Sequence, residues 1–192
     1  NRSDLEVQKV NDGETLDLGN RVLTFLFAPN LHWPDSMLTW VEDAKTLFTC
    51  DFLGCHYCEP YTFDYNIAYP KAYDAALELY YAAIFGPFGS FVRKGLEKIK
   101  ALPTAPEFVC TSHGPVLTKE CRLPQVLACY EQWSAPVVNE VPLIPIFYCS
   151  AYGNTAKLAE KIREGILEAK PQADCQTYDI IEHDMGKLHA LI

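Results

Sequence analysis

Apolar positions along this chain come in short blocks, and the spacing inside each block differs. "RVLTFLFA" (21–28) is a continuous run rich in branched and aromatic side chains that ends at Pro29. That is the pattern of a buried strand feeding a loop. "TLFTC" (46–50) and "EFVCT" (107–111) repeat it. Between them, "YPKAYDAALELYYAAIF" (69–85) sets Ala72, Ala76, Leu79 and Ala83 at helical spacing, with Pro70 in the first turn and Gly86–Pro87 as a stop. "FVRKGLEKIKAL" (91–102) predicts a second amphipathic helix closed by Pro103, and a third starts near Pro124 and runs through "QVLACYEQW". The first twenty or so residues show no distinctive pattern.

The character changes near residue 138. "NEVPLIPIFYCS" (139–150) is a linker leading into a new apolar strand, "TAKLAEKIREGILEAK" (155–170) is a strongly amphipathic helix ended by Pro171, and "DCQTYDI" (174–180) alternates as a strand. Strand, helix and strand in such close succession form a βαβ unit, which implies parallel pairing. The expected class is α/β, with one domain over 1–138 and another over 139–192.

Composition narrows the functional classes. The chain is 49% hydrophobic and 21% charged, enough apolar content for a core and too little charge for disorder. A net charge of −9 with no basic run excludes a nucleic-acid binder, which needs clustered cations to neutralise phosphates. No apolar run approaches the roughly 18–20 residues of a membrane helix, and no signal-peptide pattern opens the chain. Eight cysteines, mostly in apolar surroundings, read as reduced thiols in a cytoplasmic protein. Cys55 and Cys58 form the one close pair, and without a second pair of that spacing free thiols are favoured over a zinc knuckle. A start at Asn1 without methionine and an abrupt end at Ile192 suggest a fragment.

The three early strands share one feature: each ends in a metal-capable side chain beside a turn former. His32 precedes Trp33–Pro34, Asp51 directly follows "TLFTC", and His113 precedes Gly114–Pro115. Strand ends hold functional groups rigidly while loops give access. Singly, each has a plain structural reading: a turn histidine, a strand cap, a weak "HGP". Together, two imidazoles and a carboxylate suit a divalent transition metal such as iron, zinc or manganese, and a carboxylate can bridge two ions about 3.5–4 Å apart.

"LHWPDSM", "FTCDFLGCHYCEP" and "TSHGP", in this order and with gaps of 19 and 62 residues between His32, Asp51 and His113, resemble the later half of the metallo-β-lactamase-like domain of flavodiiron proteins. The resemblance implies a non-haem diiron centre in which His32 ligates one iron, His113 the other, and Asp51 bridges them. It also implies an earlier H-x-E-x-D pattern for the remaining ligands, which this chain does not contain. His56, in "GCHYC", could orient a ligand or pass protons, or stand as a surface histidine in a long loop.

"IFYCSAYGNTAKLAEKI" (146–162) carries the second constellation: an apolar strand runs into Ser150, Ala151, Tyr152, Gly153, Asn154 and Thr155, where a helix starts at once. Small and hydroxyl residues there let backbone N–H groups close on a phosphate at the positive end of the helix dipole. The plain alternative is a strand-to-helix turn with Thr155 as N-cap. The pattern matches neither the nucleoside-triphosphate nor the dinucleotide glycine motif, and it resembles the FMN phosphate loop of flavodoxins. By that resemblance Ser150, Asn154 and Thr155 contact the phosphate, while Tyr152 and Gly153 shape the loop.

A partial metallo-β-lactamase-like αββα domain followed by the first βαβ unit of a flavodoxin-like sheet is the flavodiiron arrangement. It implies electrons passing from FMN to two iron ions, reduction of O2 to water or NO to N2O, and a donor such as rubredoxin or an NAD(P)H-dependent reductase. It also implies a homodimer or homotetramer. The rival expectations are a metal-dependent hydrolase of the metallo-β-lactamase superfamily, acting on a thioester, lactam or phosphodiester, and a metal-free FMN electron-transfer module.

Overall fold

The computed structural model describes residues 7–136 and 139–182. The chain divides into two compact units, Asn1–Pro136 and Val137–Ile192.

The first unit is built on one mixed sheet of six strands in the order β1 (Thr15–Asp17), β2 (Val22–Phe27), β3 (Met37–Val41), β4 (Thr46–Cys50), β5 (Phe108–Thr111) and β6 (Leu117–Thr118). Every neighbouring pair is antiparallel except β4 and β5. The registers Trp40↔Leu47, Leu47↔Val109 and Val109↔Leu117 set these four side chains on one face, where all are buried. Three helices join them in the core: α1 (Pro70–Tyr80), α2 (Gly89–Lys100) and α3 (Leu123–Trp133).

Two differences from the sequence expectation have physical causes. The pattern does not single out β3; its five residues are too few to show alternation, and only pairing to β2 and β4 defines it. α1 also faces the core with Tyr73, Leu77 and Tyr80, not with Ala72, Ala76 and Leu79, and Leu79 is 68% exposed. Burying two tyrosines and a leucine removes far more apolar surface from water than burying two alanines and a leucine. Tyr81–Phe85 widen into a π turn and Gly86–Phe88 tighten into a 3-10 turn before α2 begins, so the helix breaks where Gly86–Pro87 require.

Taken together, Pro70–Lys100 is long and apolar enough by length and composition to cross a membrane, which the sequence reading did not anticipate. Tyr73, Leu77, Phe85, Val92, Leu96 and Ile99 of this stretch are committed to the core, while Leu79 is exposed. A buried core helix satisfies the same length and composition.

Asp64 ties the long loop after β4 to the rest of the unit. It is buried and accepts bonds from Thr118 N and Oγ1 and from Arg122 N at 2.7–2.9 Å.

The second unit holds β7 (Leu143–Tyr148), α4 (Asn154–Ala169) and β8 (Asp174–Asp179). β7 and β8 pair in parallel from Leu143↔Asp174 to Tyr148↔Asp179, as the βαβ pattern predicts. The Thr177 hydroxyl donates to Glu160 at 2.6 Å and fastens α4 to the sheet.

Candidate metal centre and phosphate loop

Strand direction explains why three residues far apart in sequence meet. β2 is antiparallel to β3 and β3 to β4, so β2 and β4 run the same way; β5 is parallel to β4. All three therefore end at the same edge of the sheet, and the residues just after them are His32, Asp51 and His113. His32 Nε2 lies 3.1 Å from Asp51 Oδ2, and His113 Nε2 lies 3.2 Å from Asp51 Oδ1. Each carboxylate oxygen thus faces a different imidazole. The Asp51 side chain is 16% exposed and that of His113 46%, so the cluster opens to solvent on the His113 side.

The backbone around Asp51 is held in an uncommon shape. Cys50 and Leu53 on either side of it have φ of 53° and 69°, and Asn30 ahead of His32 has φ of 61°. Residues other than glycine adopt such angles at a cost of order 1–3 kcal/mol, and they concentrate where function demands a particular geometry. Cross-links hold the loops in place: Ser112 N donates to Cys50 O, Cys55 N to His113 O, and the Tyr80 hydroxyl to Asp51 O. Burial raises the Tyr80 phenol, aided by the negative charge of Asp51, so it remains a donor. The two loops approach so closely at Gly54 that a Cβ there would meet His113 O at 2.9 Å and Asp51 O at 3.1 Å.

His56 stands in the same cluster. Its ring lies edge-on to His113 at 5.2 Å and to Tyr80 at 4.7 Å, while remaining exposed. Together with Tyr57, Glu59, Tyr61 and Pro115 it lines an open cavity of about 640 Å³ beside His113. Tyr80 is the neighbour that sequence reasoning missed; its signal was only a double tyrosine at the end of a helix.

The donor set suits a pair of divalent transition-metal ions sharing a carboxylate. Among the described residues no three His, Cys, Asp or Glu side chains close on a single point. The cluster comprises two donor pairs with Asp51 in common, and each position offers two protein donors.

The second unit carries the candidate phosphate loop. Ser150 Oγ is buried without a hydrogen-bond partner among the described residues, and a buried polar atom of this kind calls for a partner. Gly153, not Thr155, is the N-cap of α4, with φ of 79°, and no side chain caps the first turn. The leading N–H groups are consequently free of side-chain acceptors, as anion binding requires. Asn154 opens the helix, Thr155 is exposed in its first turn, Ala151 is exposed, and Tyr152 is 93% exposed at the loop tip. These features fit a phosphate-bearing cofactor such as FMN.

A sheet-and-helix unit with a shared-carboxylate cluster at its strand ends, joined in sequence to a flavodoxin-like βαβ unit, defines the class. Comparison with known proteins agrees. The chain is 47% identical over 189 residues to the flavo-diiron protein FprA2 of Clostridium acetobutylicum, covering 98% of this chain and 47% of that one. It is 34% identical to the anaerobic nitric oxide reductase flavorubredoxin of Klebsiella pneumoniae, over 93% of this chain and 36% of that one. Among solved structures, the rubredoxin oxygen:oxidoreductase of Desulfovibrio gigas superposes with a TM-score of 0.67 at 28% identity, over 98% of this chain and 46% of that one. No family model matches the chain. The chain belongs to the flavodiiron proteins, and it spans about half the length of the curated relatives it matches.

Proposed function

We propose that this chain is part of a flavodiiron oxidoreductase in which electrons pass from FMN to two iron ions and reduce O2 to water or NO to N2O. The observation that carries this reading is the Asp51 carboxylate, each of whose oxygens faces a different imidazole at 3.1 and 3.2 Å. In this reading His32 and His113 hold one ion each and Asp51 bridges them, with further ligands supplied from outside these 192 residues. Two iron ions held there would supply positive charge and redox capacity to a diatomic gas. Around them, Tyr80 fixes the Asp51 main chain, and His56 packs edge-on against His113 beside the open cavity.

Ser150, Asn154, Thr155 and the first turn of α4 hold the FMN phosphate, with Ala151, Tyr152 and Gly153 forming the turn. The flavin's contribution is to exchange pairs of electrons for single ones. The names of the relatives favour O2 or NO as substrate and a rubredoxin-type donor, with an NAD(P)H-dependent reductase as the alternative donor. The eight free thiols suit a reducing, cytoplasmic setting, and a homodimer or homotetramer remains the expected assembly.

The test is metal and flavin analysis of the complete protein beside gas consumption with a reductant. The reading expects iron and FMN, with Asp51→Ala abolishing gas consumption while FMN is retained. Zinc without flavin, or turnover unaffected by Asp51→Ala, overturns it.

A further inference from the structure

A second cavity, of about 320 Å³, lies between the end of β2 with the following Pro29 and the helix α2. Its walls are Phe27, Ala28 and Pro29 on one side and Phe91, Gly95 and the aliphatic stems of Lys94 and Lys98 on the other, with Asp12 at the rim. The volume is in the range of small-molecule sites, and the lining is apolar apart from three charged groups, the composition typical of such sites.

Those charges are not equivalent. Asp12 is fully engaged: Lys98 Nζ reaches both its oxygens at 2.8–2.9 Å, and Phe27 N donates to Oδ1 at 2.6 Å. Lys98 and these bonds hold the Asp12 carboxyl below its ordinary range. Lys98 is therefore neutralised by Asp12. Lys94 sits over the Phe91 ring, 5.5 Å from its centroid, with no carboxylate paired to it among the described residues, and so brings one uncompensated positive charge to the mouth of an apolar space. A ligand complementary to this has an unbranched or aromatic hydrocarbon body and a single negative head. A neutral alcohol would leave the ammonium unmatched, and a cation would be repelled.

The cavity connects to the candidate metal centre through the chain that follows Pro29 and through the packing at Gly95. Ala28 and Pro29 lead into the turn that carries His32. At the Gly95 wall, a Cβ would come within 2.5 Å of Leu31 Cδ1 and 3.1 Å of the Phe52 ring, so nothing but that missing methyl separates α2 from the residues preceding His32 and following Asp51. An occupant would press on the segment from Ala28 to Leu31.

We propose that this cavity is a binding site for a small amphipathic monoanion, a medium-chain or aryl carboxylate, and that its occupancy bears on the His32 turn. The proposal stands independently of which metal or flavin the protein carries. Octanoate is the probe, with octanol and octylammonium as controls, titrated into the complete protein by calorimetry. Emission from Trp33 is followed in parallel, assigned by comparison with Trp33→Phe. Trp33 is 62% exposed and its ring lies 5.5 Å from that of His32, so it reports on that turn.

The expected result is saturable octanoate binding at least tenfold tighter than that of octanol or octylammonium, accompanied by a change in Trp33 emission. Lys94→Glu, at an exposed helix position that does not threaten folding, weakens octanoate at least tenfold. Phe91→Ala weakens octanoate and octanol together. Absence of saturable binding, equal affinity for octanoate and octanol, or full affinity in Lys94→Glu overturns the site. Binding with unchanged Trp33 emission overturns the link to His32.

Discussion

Gly95 offers the sharpest check on how the fold holds the candidate ligands. It sits in the middle of α2, where alanine is intrinsically preferred by roughly 0.5–1 kcal/mol. An exposed helix would therefore gain from Gly95→Ala. Here the new Cβ would stand 2.5 Å from Leu31 Cδ1 and 3.1–3.2 Å from two carbons of the Phe52 ring. Leu31 is 1% exposed and Phe52 0%, so both are enclosed by neighbouring core side chains that must shift with them. Overpacking of this kind costs about 1–3 kcal/mol, which exceeds the helix gain. The net expectation is destabilisation of about 1–2 kcal/mol and a fall in thermal midpoint of roughly 3–10 °C. Leu31 is bonded to His32 and Phe52 to Asp51, so the displacement enters the metal cluster and iron content should fall with it. Differential scanning calorimetry and iron analysis on the same sample read both. An unchanged or raised midpoint with undiminished iron would refute the reasoning.

Other outcomes follow from the same geometry. Gly165→Ala, in α4 where an added Cβ meets nothing within 4 Å, should stabilise by roughly 0.5–1 kcal/mol, seen as a higher denaturant midpoint. Asp64→Ala leaves two N–H groups and a hydroxyl without their acceptor and should cost at least about 3 kcal/mol by chemical denaturation. Ser150→Ala should weaken FMN retention on dialysis while leaving the far-ultraviolet dichroism unchanged, because Ser150 Oγ has no bond to lose among the described residues. Burial pushes the Cys55 thiol from 9.0 up to about 11. Its folded pKa is raised, so its contribution to stability is complete below pH 9 and is lost as pH climbs through 11, which alkaline unfolding reads. At pH 8, iodoacetamide should label the exposed Cys58, Cys121 and Cys149 well before Cys55 or Cys175, as mass spectrometry would show.

How much was legible in the sequence varied with the range of the forces involved. β2, β4 and β5 announce themselves because a strand buried in a sheet needs a dense apolar run wherever it pairs. α2, α3 and α4 do so through their stripe and their prolines. β1 and β6, with three and two residues, exist only through their partners. The face of α1 was misread because periodicity alone does not say whether alanines or tyrosines turn inward; the core chose the larger side chains. His32, Asp51 and His113 could be picked out by a repeated local design, a ligand-capable residue just past a strand. Their meeting could not be read from it, since it follows from strand order, two antiparallel steps and one parallel step. Tyr80, Gly54 and Gly95 were out of reach for the same reason: each matters through a contact with a segment distant in sequence. The strand-to-helix turn of the second unit was legible because it is local; its N-cap is Gly153, where a left-handed φ suits glycine, and not Thr155, which the plain strand-to-helix alternative places there.

The most direct test of the shared carboxylate is X-ray diffraction from crystals of the complete protein, recorded on both sides of the iron absorption edge. The account predicts two anomalous peaks about 3.5–4 Å apart, one beside His32 Nε2 and the other beside His113 Nε2, with the Asp51 carboxylate between them. A single peak, or a pair of peaks that Asp51 does not touch, would contradict it.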